Sequence, residues 1–175
     1  MQVFRYAKPQ IAVHWLAAAL IFFLLISGTL VLADLPNTSE KIGNLRIHMI
    51  LGGLVGLLII ARIFLRKRLP APPPVQGEKL AKLGHLALNL VILLLVFSGV
   101  MLALQSGAFD AVFGGGVLPE DFKQFTPRQI HGLASRLAMG LIALHVLAAL
   151  YHQFIVKDGL LSRMGLGVNK AGSRP

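Results

Sequence analysis

Apolar residues in this chain do not alternate with polar ones; they run on in four blocks, each ended by turn residues or by cations. Ile11 to Ala33 opens after Pro9 and stops at Asp34, Pro36 and Asn37, and Leu45 to Leu65 stops at Arg66, Lys67 and Arg68. A third block extends from Leu83 to Leu104 and a fourth from Arg128 to Val156. Each is about as long as the ~20 residues a helix needs to cross a ~30 Å hydrocarbon core. The pattern predicts an all-α integral membrane protein: an up-down bundle of four transmembrane helices in one membrane domain over 1–175, with spans at about 11–33, 45–65, 83–104 and 128–156. Pro70, Pro72, Pro73 and Pro74 make 66–82 a stiff, extended connector, because successive prolines lack backbone donors. Residues 105–127 form the second long loop, rich in Gly, Phe and acidic side chains.

Composition agrees with this reading. Apolar residues make up 55% and charged residues 14% of the chain, against roughly 25% charged in an ordinary soluble domain. With no cysteine, disulfides, thiolate zinc, iron–sulfur clusters and haem attached through Cys-x-x-Cys-His are all excluded. Any metal must be held by histidine or oxygen.

Charge sets the orientation. Arg5, Lys8, Arg62, Arg66, Lys67, Arg68, Lys79, Lys82, Lys157, Arg163, Lys170 and Arg174 fall on one face. The other carries Lys41, Arg46, Lys123 and Arg128, diluted by Asp34, Glu40, Asp110, Glu120 and Asp121. Cytoplasmic loops retain positive charge, so both termini and the 66–82 connector are expected in the cytoplasm, with 105–127 in the periplasm. The formal charge of +10 then reflects topology and attraction for anionic membrane lipid. No separate basic domain exists to bind nucleic acid. The first block is too long, and too closely followed by further spans, for a cleaved signal peptide.

All six histidines lie in or at the ends of the spans: His14, His48, His85, His131, His145 and His152. A single histidine in a helix is usually a packing residue. Six in a membrane protein, with none elsewhere, point to function, because ionisable groups in a bilayer are costly. At 1.5 Å per residue, His48 and His131 each lie about 4–5 Å inside the periplasmic end of their spans. His14, His85 and His145 lie about 26–28 Å from that end, and His152 about 36 Å, near cytoplasmic water. His131 and His145 are two heptads apart, so one helix serves both levels from nearly one face. Paired imidazoles at matched depth suit b-type haem, whose iron takes a nitrogen on each side. Depth alone leaves His14 and His85 as competing partners for His145. Gly52, Gly53, Gly56, Gly132, Ala134 and Gly140 are expected to let a flat macrocycle approach. Arg46 and Arg136 are candidates for neutralising haem propionates, for which the guanidinium fork is suited.

These motifs in order, Ile11-Ala12-Val13-His14-Trp15, Ile47-His48, Gly84-His85, Ile130-His131-Gly132 and Leu144-His145 with His152, resemble the bacterial cytochrome b561 family. Ala61-Arg62-Ile63, Arg66 to Pro74 and Lys157-Asp158-Gly159-Leu160-Leu161 extend the likeness over nearly the whole chain. The resemblance implies a multi-pass protein of the bacterial inner membrane with two b haems, ligated by His14 with His145 and by His48 with His131. It further implies quinone candidates His85 and His152, and in one member type a superoxide oxidase passing electrons from periplasmic superoxide to ubiquinone. Three functions stay open at this point. One is a dihaem electron carrier between a periplasmic donor and ubiquinone, with superoxide:ubiquinone oxidoreductase as its sharpest form. Another is a haem b anchor for a partner redox subunit of hydrogenase or formate dehydrogenase type. The third is a haem-free proton-coupled transporter.

Overall fold

A computed structural model describes residues 5–70, 73 and 77–166. Lys170, Arg174, Pro72 and Pro74 lie outside the described residues. Four helices are long and apolar enough to cross a membrane. The first, α1 (Lys8–Ser27), continues into a wide π-helical turn at Gly28–Leu32. Then come α2 (Ser39–Arg68) and α3 (Glu78–Gln105). A short α4 (Ala108–Phe113) crosses the end of the bundle. The fourth long helix, α5 (Thr126–Tyr151), ends in another π turn at His152–Val156, before a final short α6 (Leu160–Arg163). No strand occurs among the described residues.

Helix ends follow local chemistry. Pro9 and Pro127 sit in the first turns of α1 and α5, where a missing N–H costs nothing. At the end of α3, Gly107 takes φ 72°, a left-handed conformation that frees the chain to fold back as α4. The 105–127 segment therefore has structure of its own. Ala108 and Ala111 of α4 pack with Leu118 against Ile42 and Leu45 of α2.

Large apolar side chains point outward along all four long helices, as Leu30, Leu57, Leu86 and Leu147 do, because here the solvent is lipid. Small residues make the close contacts inside: Ala17, Ala134 and Ala138 are buried, and a Cβ added to Gly56 would meet Val96 Cγ1 at 3.0 Å. The core is a plug of Val55 and Ile59 from α2, Ile92 from α3 and Ala138 from α5. Ala138 is midway between His131 and His145, so the plug separates two levels of the bundle. Close backbone packing joins α1 to α2, α2 to α3 and α3 to α5. Against α1 and α2, α5 stands further off, and the histidines face one another across that gap.

Both described chain ends meet at one end of the bundle. Tyr6 N–H donates to the Arg163 carbonyl at 3.0 Å, and Trp15 Nε1–H to the Met164 carbonyl at 3.0 Å. This end is called inner below, and the end carrying α4 is called outer.

Candidate functional site

The outer level is formed by His48 on α2 and His131 on α5, with ring centres 6.2 Å apart and planes at 67°. His14 on α1 and His145 on α5 form the inner level, at 6.4 Å and 68°. Two iron–nitrogen bonds of about 2 Å, plus roughly 1 Å from each nitrogen to its ring centre, place two axial imidazoles about 6 Å apart. Both pairs meet that separation. The ring of His85 on α3 lies closer to His145, at 5.4 Å, a direct ring contact rather than a gap for an ion.

The surroundings fit a bound macrocycle. Nδ1 of His14, His48 and His85 is buried with no hydrogen-bond partner among the described residues. Glycines seat the outer rings: a Cβ at Gly28 would stand 3.3 Å from His48 Cε1, and one at Gly99 would stand 3.3 Å from His131 Cε1. Open space adjoins Gly52, Gly53 and Gly140, whereas Gly56 faces Val96, Gly132 faces Arg128 Nη1 and Ala134 is buried. The small residues thus divide between two roles, and Gly56 and Ala134 serve helix packing. Haem iron brings four nitrogen ligands of its own and needs two more, which is what each facing pair offers.

Charged side chains distinguish the levels. At the inner level the Arg62 guanidinium acts electrostatically on His14, His85 and His145 together. At the outer level Arg46 donates through Nε and Nη2 to the Val112 carbonyl, at 3.2 and 2.6 Å, pinning α4 over the bundle end. Arg136 is exposed on α5 and makes no hydrogen bond or salt bridge among the described residues. Arg128 folds back along α5 toward Gly132, one residue from His131.

His152 stands apart from His85. Its Nδ1 lies 2.6 Å from Asp158 Oδ2, and the other Asp158 oxygen accepts the Leu160 N–H at 3.1 Å, capping α6. Beside this pair is a cavity of about 240 Å³ lined by Gly77, Tyr151, His152 and Val156. A second cavity, of about 190 Å³, opens beside His48 between Phe23, Ser27, Val31, Leu32, Asn44 and Ile47.

Sequence reading did not single out Ser98, Gly99, Gly28 or Lys41. Ser98 and Gly99 interrupt an otherwise apolar stretch of α3, a signal that was available. Lys41 is buried; its Nζ donates to the Leu35 carbonyl and Asn37 Oδ1, at 2.7 and 2.8 Å. Asn37 in turn donates to the Pro119 and Glu120 carbonyls. Nothing along the chain showed that this cation braces Asn37, the residue that ties the two loops together.

The profile of the prokaryotic cytochrome b561 family matches residues 5–167. The chain belongs to that family. Its relatives include a probable superoxide oxidase CybB of Yersinia pestis, 28% identical, with 91% of this chain and 95% of the relative aligned. Cytochrome b561 homolog 1 of Escherichia coli K12 is 30% identical over 91% of this chain and 96% of its own length. A cytochrome b562 of Cereibacter sphaeroides is 28% identical over 91% and 94%. No solved structure matches the chain. Family and fold together make this protein a multi-pass b-type cytochrome of the bacterial inner membrane, a haem protein of the electron-transfer class with a redox partner.

Proposed function

We propose that this cytochrome holds two b haems and carries electrons from a periplasmic donor, superoxide in its sharpest form, to ubiquinone near the cytoplasmic face. The observation that carries the reading is the pair of facing histidines at each of two levels, with ring centres 6.2 and 6.4 Å apart, sharing α5. His48 and His131 hold the outer haem; His14 and His145 hold the inner one, the 5.4 Å contact of His85 being too close for iron. When bound, the haems would supply one-electron chemistry, and the two α5 histidines that would hold them lie 14 residues, about 21 Å, apart along the helix axis. The remaining work falls to the protein. Helix α5 carries His131 five residues, about 7.5 Å, inside its outer end, and α2 carries His48 nine residues, about 13.5 Å, inside its own, so of the two centres the outer one lies nearer a small periplasmic donor.

At the inner end, the His152–Asp158 pair borders a cavity that suits a quinone head group. Asp158 orients the His152 ring, and His152 delivers protons to the quinone oxygens. Two superoxide ions lose one electron each and leave as O2, while the quinone gains two electrons and two protons and leaves as quinol. His85, whose ring contacts that of His145, is the second quinone candidate. Arg46 and Arg136 are the candidates to neutralise the outer propionates, and Arg46 also holds the Val112 carbonyl. The excess of cations at the inner end supports a cytoplasmic location for both chain ends and the segment joining α2 to α3.

The test is to generate superoxide enzymatically beside the purified protein with a soluble quinone, following haem reduction and quinol formation together. Both should appear. If superoxide leaves the haems oxidised while a hydrophilic partner reduces them, the anchor reading replaces this one. The exposed ring pair Phe109 and Phe113, centres 5.1 Å apart on α4, would then be the docking surface.

A further inference from the structure

His131 differs from the other candidate ligands in what stands behind its ring. Its Nδ1 is 3.0 Å from the Leu95 carbonyl oxygen and 3.1 Å from Ser98 Oγ, and the Ser98 hydroxyl reaches the same Leu95 oxygen at 3.1 Å. Ser98 is 2% exposed and sits mid-helix among apolar residues, so its hydroxyl has no water to turn to. Gly99 completes the seat, since a Cβ there would press on His131 Cε1 and Nδ1 at 3.3 and 3.5 Å. One turn of α3 thus offers the ring an acceptor, a hydroxyl and a side-chain-free surface. At His48 a glycine is present, but Nδ1 is without a partner.

We propose that Leu95, Ser98 and Gly99 form a seat that fixes the tautomer of His131 and lowers the reduction potential of the outer haem, with Ser98 as the positioning residue. The inference rests on the two-haem reading above. An imidazole that gives Nε2 to iron must carry its proton on Nδ1. That N–H is then shared between the Leu95 carbonyl and Ser98 Oγ, and the Ser98 O–H must point at Leu95, which the 3.1 Å separation of Ser98 Oγ from the Leu95 oxygen accommodates. The reverse, with Ser98 donating to Nδ1, would leave the proton on Nε2 and block ligation. Hydrogen bonds accepted from the far N–H make a metal-bound imidazole more basic. A more basic ligand favours the oxidised iron, so an outer haem tuned this way passes its electron inward more readily.

The test is a spectroscopic redox titration of the purified protein, with His131→Ala showing which component is the outer haem. In Ser98→Ala, the reduced-to-oxidised ratio of that component at fixed potential should rise about three- to ten-fold, the worth of one hydrogen bond. The inner component should not move. Ser98→Thr, which keeps the hydroxyl, should restore the wild-type value. An unmoved outer component, an equal shift of both, failure of threonine to restore it, or loss of the outer haem in Ser98→Ala would each overturn the proposal. If His131→Ala removes no haem, the two-haem reading itself has failed, and the inference falls with it.

Discussion

At the outer end of the bundle, His48 and His131 are held from behind by glycine backbone, and His131 also by Leu95 and Ser98. Above them, Arg46 ties down α4, and Lys41 with Asn37 locks the two outer loops together. At the inner end, three histidines share one neighbourhood with Arg62, and a fourth, His152, is paired with a carboxylate beside a cavity. The outer level therefore fixes geometry, while the inner end gathers His85 and His152, the two histidines that the proposed function leaves off iron. A one-electron donor asks only for a well-held centre, whereas quinone reduction asks for protons as well as electrons. On the proposed function the two halves of the bundle divide along that line, with the plug of Val55, Ile59, Ile92 and Ala138 between them.

The most drastic way to break the comparison is to remove one ligand from each level. His131→Ala should eliminate mainly the outer haem and His145→Ala mainly the inner one, taking the extracted haem from two per chain toward one. Pyridine haemochrome analysis of each purified variant measures this. Retention of both haems in either variant refutes the ligand assignment, and a wild-type value of one or none refutes the pair of levels.

A functional contrast comes next. His152→Ala should leave both haem spectra intact while slowing quinol formation by about ten-fold or more, within the usual range for a lost proton donor. Asp158→Asn should act in the same direction but less, since the imidazole stays and only its orientation is loosened. If His152→Ala removes a haem, His152 is a ligand and the inner level has been misread.

How far the sequence foretold this arrangement depends on which feature is considered. Apolar run length alone gave four crossings, and helical rise set His48 level with His131 and both His14 and His85 level with His145, because both quantities depend only on spacing along one helix. What spacing could not supply was anything set between helices. His14 and His85 lie at one depth, and only their ring separations from His145, 6.4 against 5.4 Å, tell them apart. Gly28 and Gly99 act on histidines of other helices, while the glycines chosen for their nearness in sequence divide between open space and packing. Lys41 read as one of four outer cations diluted by carboxylates, yet its charge is spent on the Leu35 carbonyl and on Asn37, whose own bonds to the Pro119 and Glu120 carbonyls form only when distant loops meet.

The outer cap offers a smaller effect. Lys41→Met keeps the apolar stem but loses two hydrogen bonds from a buried cation and leaves the Leu35 carbonyl and Asn37 Oδ1 without it. The expected cost is about 1–3 kcal/mol, read as a lowered unfolding midpoint in detergent. Haem content should stay at the wild-type level at low temperature, because Lys41 touches neither histidine. A variant as stable as wild type would show that the loops are held by the α4 contacts alone.

The smallest effect expected is that of salt on the reaction with superoxide. A long-range steering field needs an excess of one sign, and the outer surface does not present one. Lys41 is buried and Arg46 is bound to the Val112 carbonyl, while Asp34, Glu40, Asp110, Glu120 and Asp121 surround the remaining cations. Arg128, folded toward the turn of His131, and the exposed Arg136 on the same helix are the cations left to act at short range. Raising ionic strength from about 10 mM to about 150 mM shortens the screening length from about 30 Å to about 8 Å, and should change the superoxide rate by less than about two-fold. Arg128→Gln should lower that rate at both ionic strengths alike, because a contact-range charge is little screened. Stopped-flow haem reduction at the two salt levels measures both. A ten-fold fall with salt in the wild type would mean that an extended field guides the anion, and the outer level would then be an electrostatic funnel as well as a fixed scaffold.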